Sequence, residues 1–150
     1  MTSMELIKKL RDSTGSGIVD CKKALNENNN DIEASIKWLR EKGILKAQKK
    51  QDRETNEGVI AFYNNSSNTE FTVCKIKCET DFVAKNDDFL NFAEILSKAI
   101  HENKSINDSG NDQDLKSLII NDQSLSDCLT DLISKIGENI QIVSYKKYFS

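Results

Sequence analysis

Thr80-Asp81-Phe82-Val83-Ala84-Lys85-Asn86 joins a strand-like run that ends at Cys78 to a helix-like run that begins at Asn86. Before it, residues 69–78 read as a strand. After it, Phe89, Phe92, Ala93, Leu96 and Ile100 recur at three- and four-residue spacing, an amphipathic helix over 86–102. A strand running straight into a covering helix predicts an α+β unit. Two accounts of the junction stand side by side. In one, Thr80 or Asp81 caps the following helix and Phe82 staples onto it. In the other, Asp81 and Phe82 occupy an exposed tip, an acid and a ring presented together to a partner.

Working outward, residues 58–63 read as a strand, and the polar turn 64–68 folds it back on 69–78 as a hairpin. Residues 104–114 are polar and predict a loop, and 115–120 a short helix. Ser124 and Asp127 have the spacing of a capping box, opening a helix with Leu125, Leu129, Leu132, Ile133 and Ile136 that stops at Gly137. Residues 140–145 read as a third strand of the same small antiparallel sheet, with the helices covering one face.

The first 45 residues predict three short helices. Thr2 and Glu5 are spaced as a capping box. Leu6, Ile7 and Leu10 mark the apolar face of the first helix, and Gly15 its stop. Ile18, Cys21, Ala24 and Leu25 belong to the second helix, which Asn28-Asn29-Asn30 ends. Asp31 caps the third, whose Ile32, Ile36 and Leu39 face inward, with Gly43 as its stop and Ile44 packing back. Such a unit has a thin core. Residues 46–53 form a charge run that serves either as a solvated helical linker or as a basic contact. The boundary falls within it, dividing the chain into 1–55, three helices with a basic linker, and 56–150, an α+β core.

Composition narrows the classes. The 150 residues are 37% hydrophobic and 30% charged, as in a soluble globular protein. A net charge of −3 argues against direct nucleic-acid binding, which ordinarily carries a basic excess. No apolar run approaches the roughly 18 residues that span a bilayer. The N-terminus lacks the pattern of a signal peptide, so a cytoplasmic protein with no membrane partner is expected. There is no proline, so no folding step waits on its isomerisation.

Chemistry is scarce. Glycine-rich phosphate loops and nucleophile elbows are absent. His101, the one histidine, falls near a helix end among polar residues and is expected to be exposed rather than a base. Cys21 beside Lys22 is either an activated thiol or part of a packed helix face. Cys74 and Cys78 are four apart on a strand and share one side, as buried thiols or as half of a metal site lacking its other ligands. No paired acid and base is evident, and neither enzymatic activity nor a cofactor is expected.

Three stretches resemble elongation factor Ts, the nucleotide exchange factor of bacterial and organellar translation. The first is Leu10-Arg11-Asp12-Ser13-Thr14-Gly15-Ser16-Gly17-Ile18-Val19-Asp20-Cys21-Lys22-Lys23-Ala24-Leu25, followed by Asp31-Ile32-Glu33, Trp38-Leu39-Arg40 and Lys42-Gly43. The second is Cys78-Glu79-Thr80-Asp81-Phe82-Val83-Ala84-Lys85-Asn86, and the third Lys135-Ile136-Gly137-Glu138-Asn139-Ile140. They occur in the family's order. The resemblance implies a ubiquitin-associated-like N-terminal unit and an α+β core. It also implies a partner, elongation factor Tu, bound in its GDP and nucleotide-free states. Asp81 and Phe82 would form the wedge that dislodges magnesium from that partner, with Thr80 and Val83 shaping it. Lys22, Ile136 and Gly137 match further contact positions. Short family members also imply pairing of two copies through the core. Common members continue well past this point, so a short or C-terminally truncated form is expected. The alternative is a binding-only fragment that does not promote exchange.

Overall fold

The computed structural model describes residues 2–149. Thr2 and Glu5 close a reciprocal capping box: the Thr2 amide donates to the Glu5 carboxylate at 3.0 Å, and the Glu5 amide to the Thr2 hydroxyl at 3.2 Å. That box opens α1 (Ser3–Thr14), followed by α2 (Ile18–Glu27) and α3 (Ile32–Lys50). The chain continues through β1 (Glu57–Asn64), β2 (Phe71–Cys78), α4 (Asp81–Ala84), α5 (Asp87–Glu102) and β3 (Ser109–Gly110). A 3-10 turn (Asp112–Leu115), β4 (Ile119–Ile120), β5 (Gln123–Ser124), α6 (Leu125–Ile136) and β6 (Gln141–Tyr148) complete it.

The three N-terminal helices enclose Leu10, Cys21, Ala24, Leu25 and Leu39, with Leu6, Ile7, Ile32, Ile36 and Trp38 around them. Ile18 departs from the expected inward face of α2. As the first residue of that helix it lines a groove along α1 with Met4, Ile7 and Arg11, and is 55% exposed.

Gly43 does not end α3, which continues to Lys50 and takes in the first part of the expected linker. The glycine marks a close approach instead. A Cβ at Gly43 would stand 2.6 Å from Ser134 Oγ and 3.7 Å from Thr130 Cγ2, so the missing side chain lets α3 and α6 meet. Ile44 accordingly stays partly exposed, while Ala47, one turn on from Gly43, packs against the larger core. Arg40 adds an ion pair to Asp131 of α6 at 3.4 Å.

The main sheet has the order β1-β2-β6-β3 and is antiparallel throughout. The β1–β2 hairpin pairs Glu57 with Cys78 at one end and Asn64 with Phe71 at the other. β6 lies on the far side of β2, as expected of the third strand, and the two-residue β3 adds an edge. α5 lies across β1 and β2. Its Phe89, Phe92, Ala93, Leu96 and Ile100 are all buried, together with Cys74, Ile76, Ile142 and Tyr145 of the sheet. Fully burying one such side chain contributes roughly 1.5–3 kcal/mol, so this layer dominates the stability of the chain. Among the described residues, no helix lies on the opposite sheet face. There Phe71 stacks between Phe62 and Tyr148, with ring centroids 5.2 and 4.5 Å away, and Ile60 is 70% exposed.

Two expectations are corrected in this core. Residues 115–120 form no helix beyond Leu115, which ends the 3-10 turn: β4 follows, and Asn121 and Asp122 take left-handed φ, 50° and 65°, closing a two-residue turn between β4 and β5. His101 is buried, not exposed. It falls four residues after the buried Ser97 on the inward side of α5, over the turn end of the hairpin. Its Nδ1 lies 2.7 Å from the Thr72 hydroxyl and its Nε2 3.2 Å from the Glu70 carboxylate, so the ring finds polar partners indoors.

Candidate functional site

Cys78 is the last residue of β2, and only eight residues separate it from α5. One helical turn, α4, fills the gap. Thr80 caps it: the Thr80 hydroxyl accepts from the Val83 amide at 3.3 Å. Asn86 then caps α5, accepting from the Asp88 and Phe89 amides at 2.9 and 3.3 Å. The cap of the first account therefore belongs to Thr80, and Asp81 is left free in the exposed first turn. The staple is absent, because Phe82 points outward and is 82% exposed. Val83 and Ala84 face the other way and pack on the core. The turn thus presents an acid and a ring on a foot that is anchored beneath.

A second segment lies directly against that foot. α6 ends at Gly137, whose φ of 86° forms the left-handed cap that lets the chain reverse. Ile136 packs on the core, and Gly137 is exposed at the turn. The next residue, Glu138, turns its carboxylate to the junction. Oε1 accepts from the amides of Glu79 and Thr80, each at 3.1 Å, and Oε2 accepts from the Thr80 hydroxyl at 2.7 Å. In return, the Glu79 carboxylate accepts from the Asn139 amide at 2.7 Å and pairs with Arg53 at 3.5 Å. The buried Asn139 side chain donates to the carbonyls of Arg53 and Gln51 at 2.8 and 3.3 Å. Thr80 to Val83, Ile136 and Gly137 are thus brought together across more than fifty residues of chain.

Lys22 is not part of this constellation. It is exposed on α2 beside Val19, 79% exposed, and among the described residues no contact joins it to the tip. Lys135, at the end of α6, pairs with Asp88 of α5 at 3.4 Å, and its aliphatic stem reaches the α1–α2 turn at Gly15.

The electrostatics favour display over reaction. Burial pushes the Cys74 thiol up to about 12, and burial, seconded by the Glu138 carboxylate, pushes Cys78 up to about 11. Both are protonated at neutral pH and are poor nucleophiles. Burial likewise raises Cys21, outweighing the Thr14 hydrogen bond and the Arg11 charge that act against it, as suits its place in the packed face. No group of three or more potential metal ligands occurs among the described residues, and no helix there is long and apolar enough to cross a membrane.

A family model described as Elongation factor TS matches residues 79–149, and one described as Elongation factor Ts, mitochondrial, N-terminal matches residues 1–50. Elongation factor Ts of Campylobacter hominis is 44% identical over 138 residues, which are 92% of this chain and 38% of the relative. That of Alkalilimnicola ehrlichii is 40% identical over 99% of this chain and 49% of its own length. That of Aquifex aeolicus is 41% identical over 97% of this chain and 52% of its own length. The chain belongs to the elongation factor Ts family. It spans about half the length of these relatives, or less. The elongation factor Ts match over the core opens at Glu79, the residue that begins the junction, and it takes in Glu138 and Asn139. Those three residues, with Gln51 and Arg53, are the part of the site that composition and spacing did not single out. Their partners lie 26 to 88 positions away in the chain, and no local pattern marks such a contact.

Proposed function

We propose that this chain is a nucleotide exchange factor that binds elongation factor Tu carrying GDP, promotes release of the GDP and remains on the nucleotide-free partner. The observation that carries this is the exposed Asp81-Phe82 pair on a one-turn foot held at both ends. Phe82 enters an apolar gap between helices of the GTPase domain. Asp81 re-pairs groups around the partner's magnesium, which otherwise neutralises the nucleotide phosphates. Thr80 and Val83 hold the shape of the tip, and Ile136 and Gly137 touch the partner beside it. Lys22, with the exposed Ile18 and Val19, makes a separate contact from the N-terminal unit. That unit, residues 1–55, is ubiquitin-associated-like, and 56–150 form the core. No covalent bond is made or broken, no cofactor, nucleic acid or membrane takes part, and the protein acts in the cytoplasm. Linkage makes the effect reciprocal: a factor that weakens GDP binding is itself weakened by GDP to the same extent.

Release of a fluorescent GDP from elongation factor Tu, followed in a stopped flow with substoichiometric amounts of this chain, tests the proposal. Turnover of many partner molecules per molecule of factor is expected. The chain's partial coverage of its relatives favours one alternative, a module that binds without exchanging. Binding with no acceleration would select it.

The same family reading pairs two copies through the core. The helix-free sheet face, with Phe62 54% and Ile60 70% exposed, supplies the apolar surface such a pair would bury, as two sheets packed face to face. A Phe62→Glu variant should sediment as a monomer at concentrations where the parent chain sediments as a dimer. Equal masses for both chains would remove this face from the proposal.

A further inference from the structure

We infer that Glu138 is a positioning residue for the tip, fixing the angle at which Asp81 and Phe82 leave the sheet. The inference deepens the exchange-factor role proposed above and rests on it. A helix of four residues has almost no stability of its own, since its ordering costs more than its few hydrogen bonds return. None of its residues is fully buried. Its direction must therefore be set from outside.

The register shows where that control enters. β2 pairs with β1 as far as Cys78 and with β6 as far as Lys77. At Glu79 and Thr80 the strand ladder has ended and α4 has not begun. Their two amides are the donors that decide where the chain turns, and both donate to Glu138 Oε1. The Thr80 hydroxyl, already the cap of α4, donates to Oε2 of the same carboxylate. One side chain thus holds the first residue past the strand, the capping residue and, through the cap, the orientation of the turn. Hydrogen bonds to a charged acceptor are about twice as strong as neutral ones.

Glu138 is itself held. The left-handed Gly137 precedes it, and Asn139, 2% exposed and hooked to the carbonyls of Gln51 and Arg53, follows it. The Glu79 carboxylate closes the exchange by accepting from the Asn139 amide. Two carboxylates therefore cross between the junction and the turn, with Arg53 as the nearby cation. Glutamine at 138 keeps an oxygen for the two amides, and its NH2 group, in place of Oε2, donates to the Thr80 hydroxyl oxygen. Alanine leaves the amides to water.

The experiment uses the full chain with Glu138→Ala and Glu138→Gln. Amide hydrogen exchange is read by NMR at Glu79, Thr80 and, as a core reference, Leu96. Fluorescent GDP release from elongation factor Tu is read across factor concentrations. For Glu138→Ala, exchange at Glu79 and Thr80 should accelerate about tenfold with Leu96 unchanged, as for loss of a charge-assisted bond. The maximal release rate should fall about tenfold, with the half-saturating concentration changed less than about threefold, because the other contacts remain. Glu138→Gln should restore both to near the parent values. Unchanged amide exchange at Glu79 and Thr80 in Glu138→Ala would overturn the inference. So would a Gln variant as impaired as the Ala variant with Leu96 still protected. If the parent chain itself fails to accelerate release, the proposed function falls, and the amide exchange of the two variants still decides whether Glu138 holds the tip.

Discussion

Truncating Phe82 to alanine should lower the maximal acceleration of GDP release about a hundredfold, the scale of a central interface aromatic. The thermal midpoint should stay within about 1 °C of the parent, since surface substitutions away from packed groups rarely exceed about 0.5 kcal/mol. Both halves follow from one fact: the ring is 82% exposed and has no place in either hydrophobic cluster. Asp81→Ala should cost about tenfold in release, as for one charged contact. It too should spare stability, because the cap of α4 is Thr80 and not Asp81. Val83→Ala is the contrast. That side chain packs against the core, so its truncation should lower the midpoint as well as the rate. Stopped-flow release and calorimetry on the three variants separate a displayed tip from a packed one. If Phe82→Ala unfolds the chain at the temperature of the assay, the ring is structural and the wedge role is lost.

What the chain reveals by itself and what it conceals divide along a physical line. The β1–β2 hairpin, α5 and the Thr2, Asp31 and Ser124 caps were legible because their signals are local: a polar turn between strand-like runs, apolar residues three and four apart, a cap beside the helix it opens. Asp81 and Phe82 were legible as a pair but not as a conformation, because a staple and an exposed tip have the same sequence. Gly43 shows the limit from the other side. A glycine near the end of an apolar helical pattern reads as a stop, yet this one is a contact with Ser134 of α6, and nothing within α3 records that partner. His101 was misplaced for a related reason. Its neighbours Glu102, Asn103 and Lys104 are polar, but Thr72 and Glu70 reach it from the hairpin. The Glu138 contacts belong to the same class: Thr80 was legible as a cap, but nothing local ties it to a carboxylate 58 residues on.

Gly58 is the remaining case, and a large loss is expected there. Its φ is 159°, and a Cβ would lie 2.3 Å from the Ile76 carbonyl oxygen and 2.9 Å from the Lys77 Cα. Both are backbone atoms of β2, so no rotamer change can make room. Gly58→Ala should therefore push the start of β1 off β2 and destabilise the chain by about 3 kcal/mol, within the range for overpacking and backbone strain. For a chain of this size that is a fall in midpoint of about 10 °C. Gly17→Ser provides the control. Nothing lies within 4 Å of a Cβ there, and Gly17 starts α2 without a side-chain cap, so serine should be neutral or stabilise by about 0.5 kcal/mol. The consequence reaches the tip. Gly58 pairs with Lys77 and Glu57 with Cys78, the residue from which the junction departs. Displacing this end of β1 moves the base on which Glu79 and Thr80 turn. At a temperature where Gly58→Ala is still folded, GDP release should fall further than Gly17→Ser lowers it. A folded Gly58→Ala variant with full release would mean that the tip takes its direction from the α6–β6 turn alone, with β1 contributing only stability.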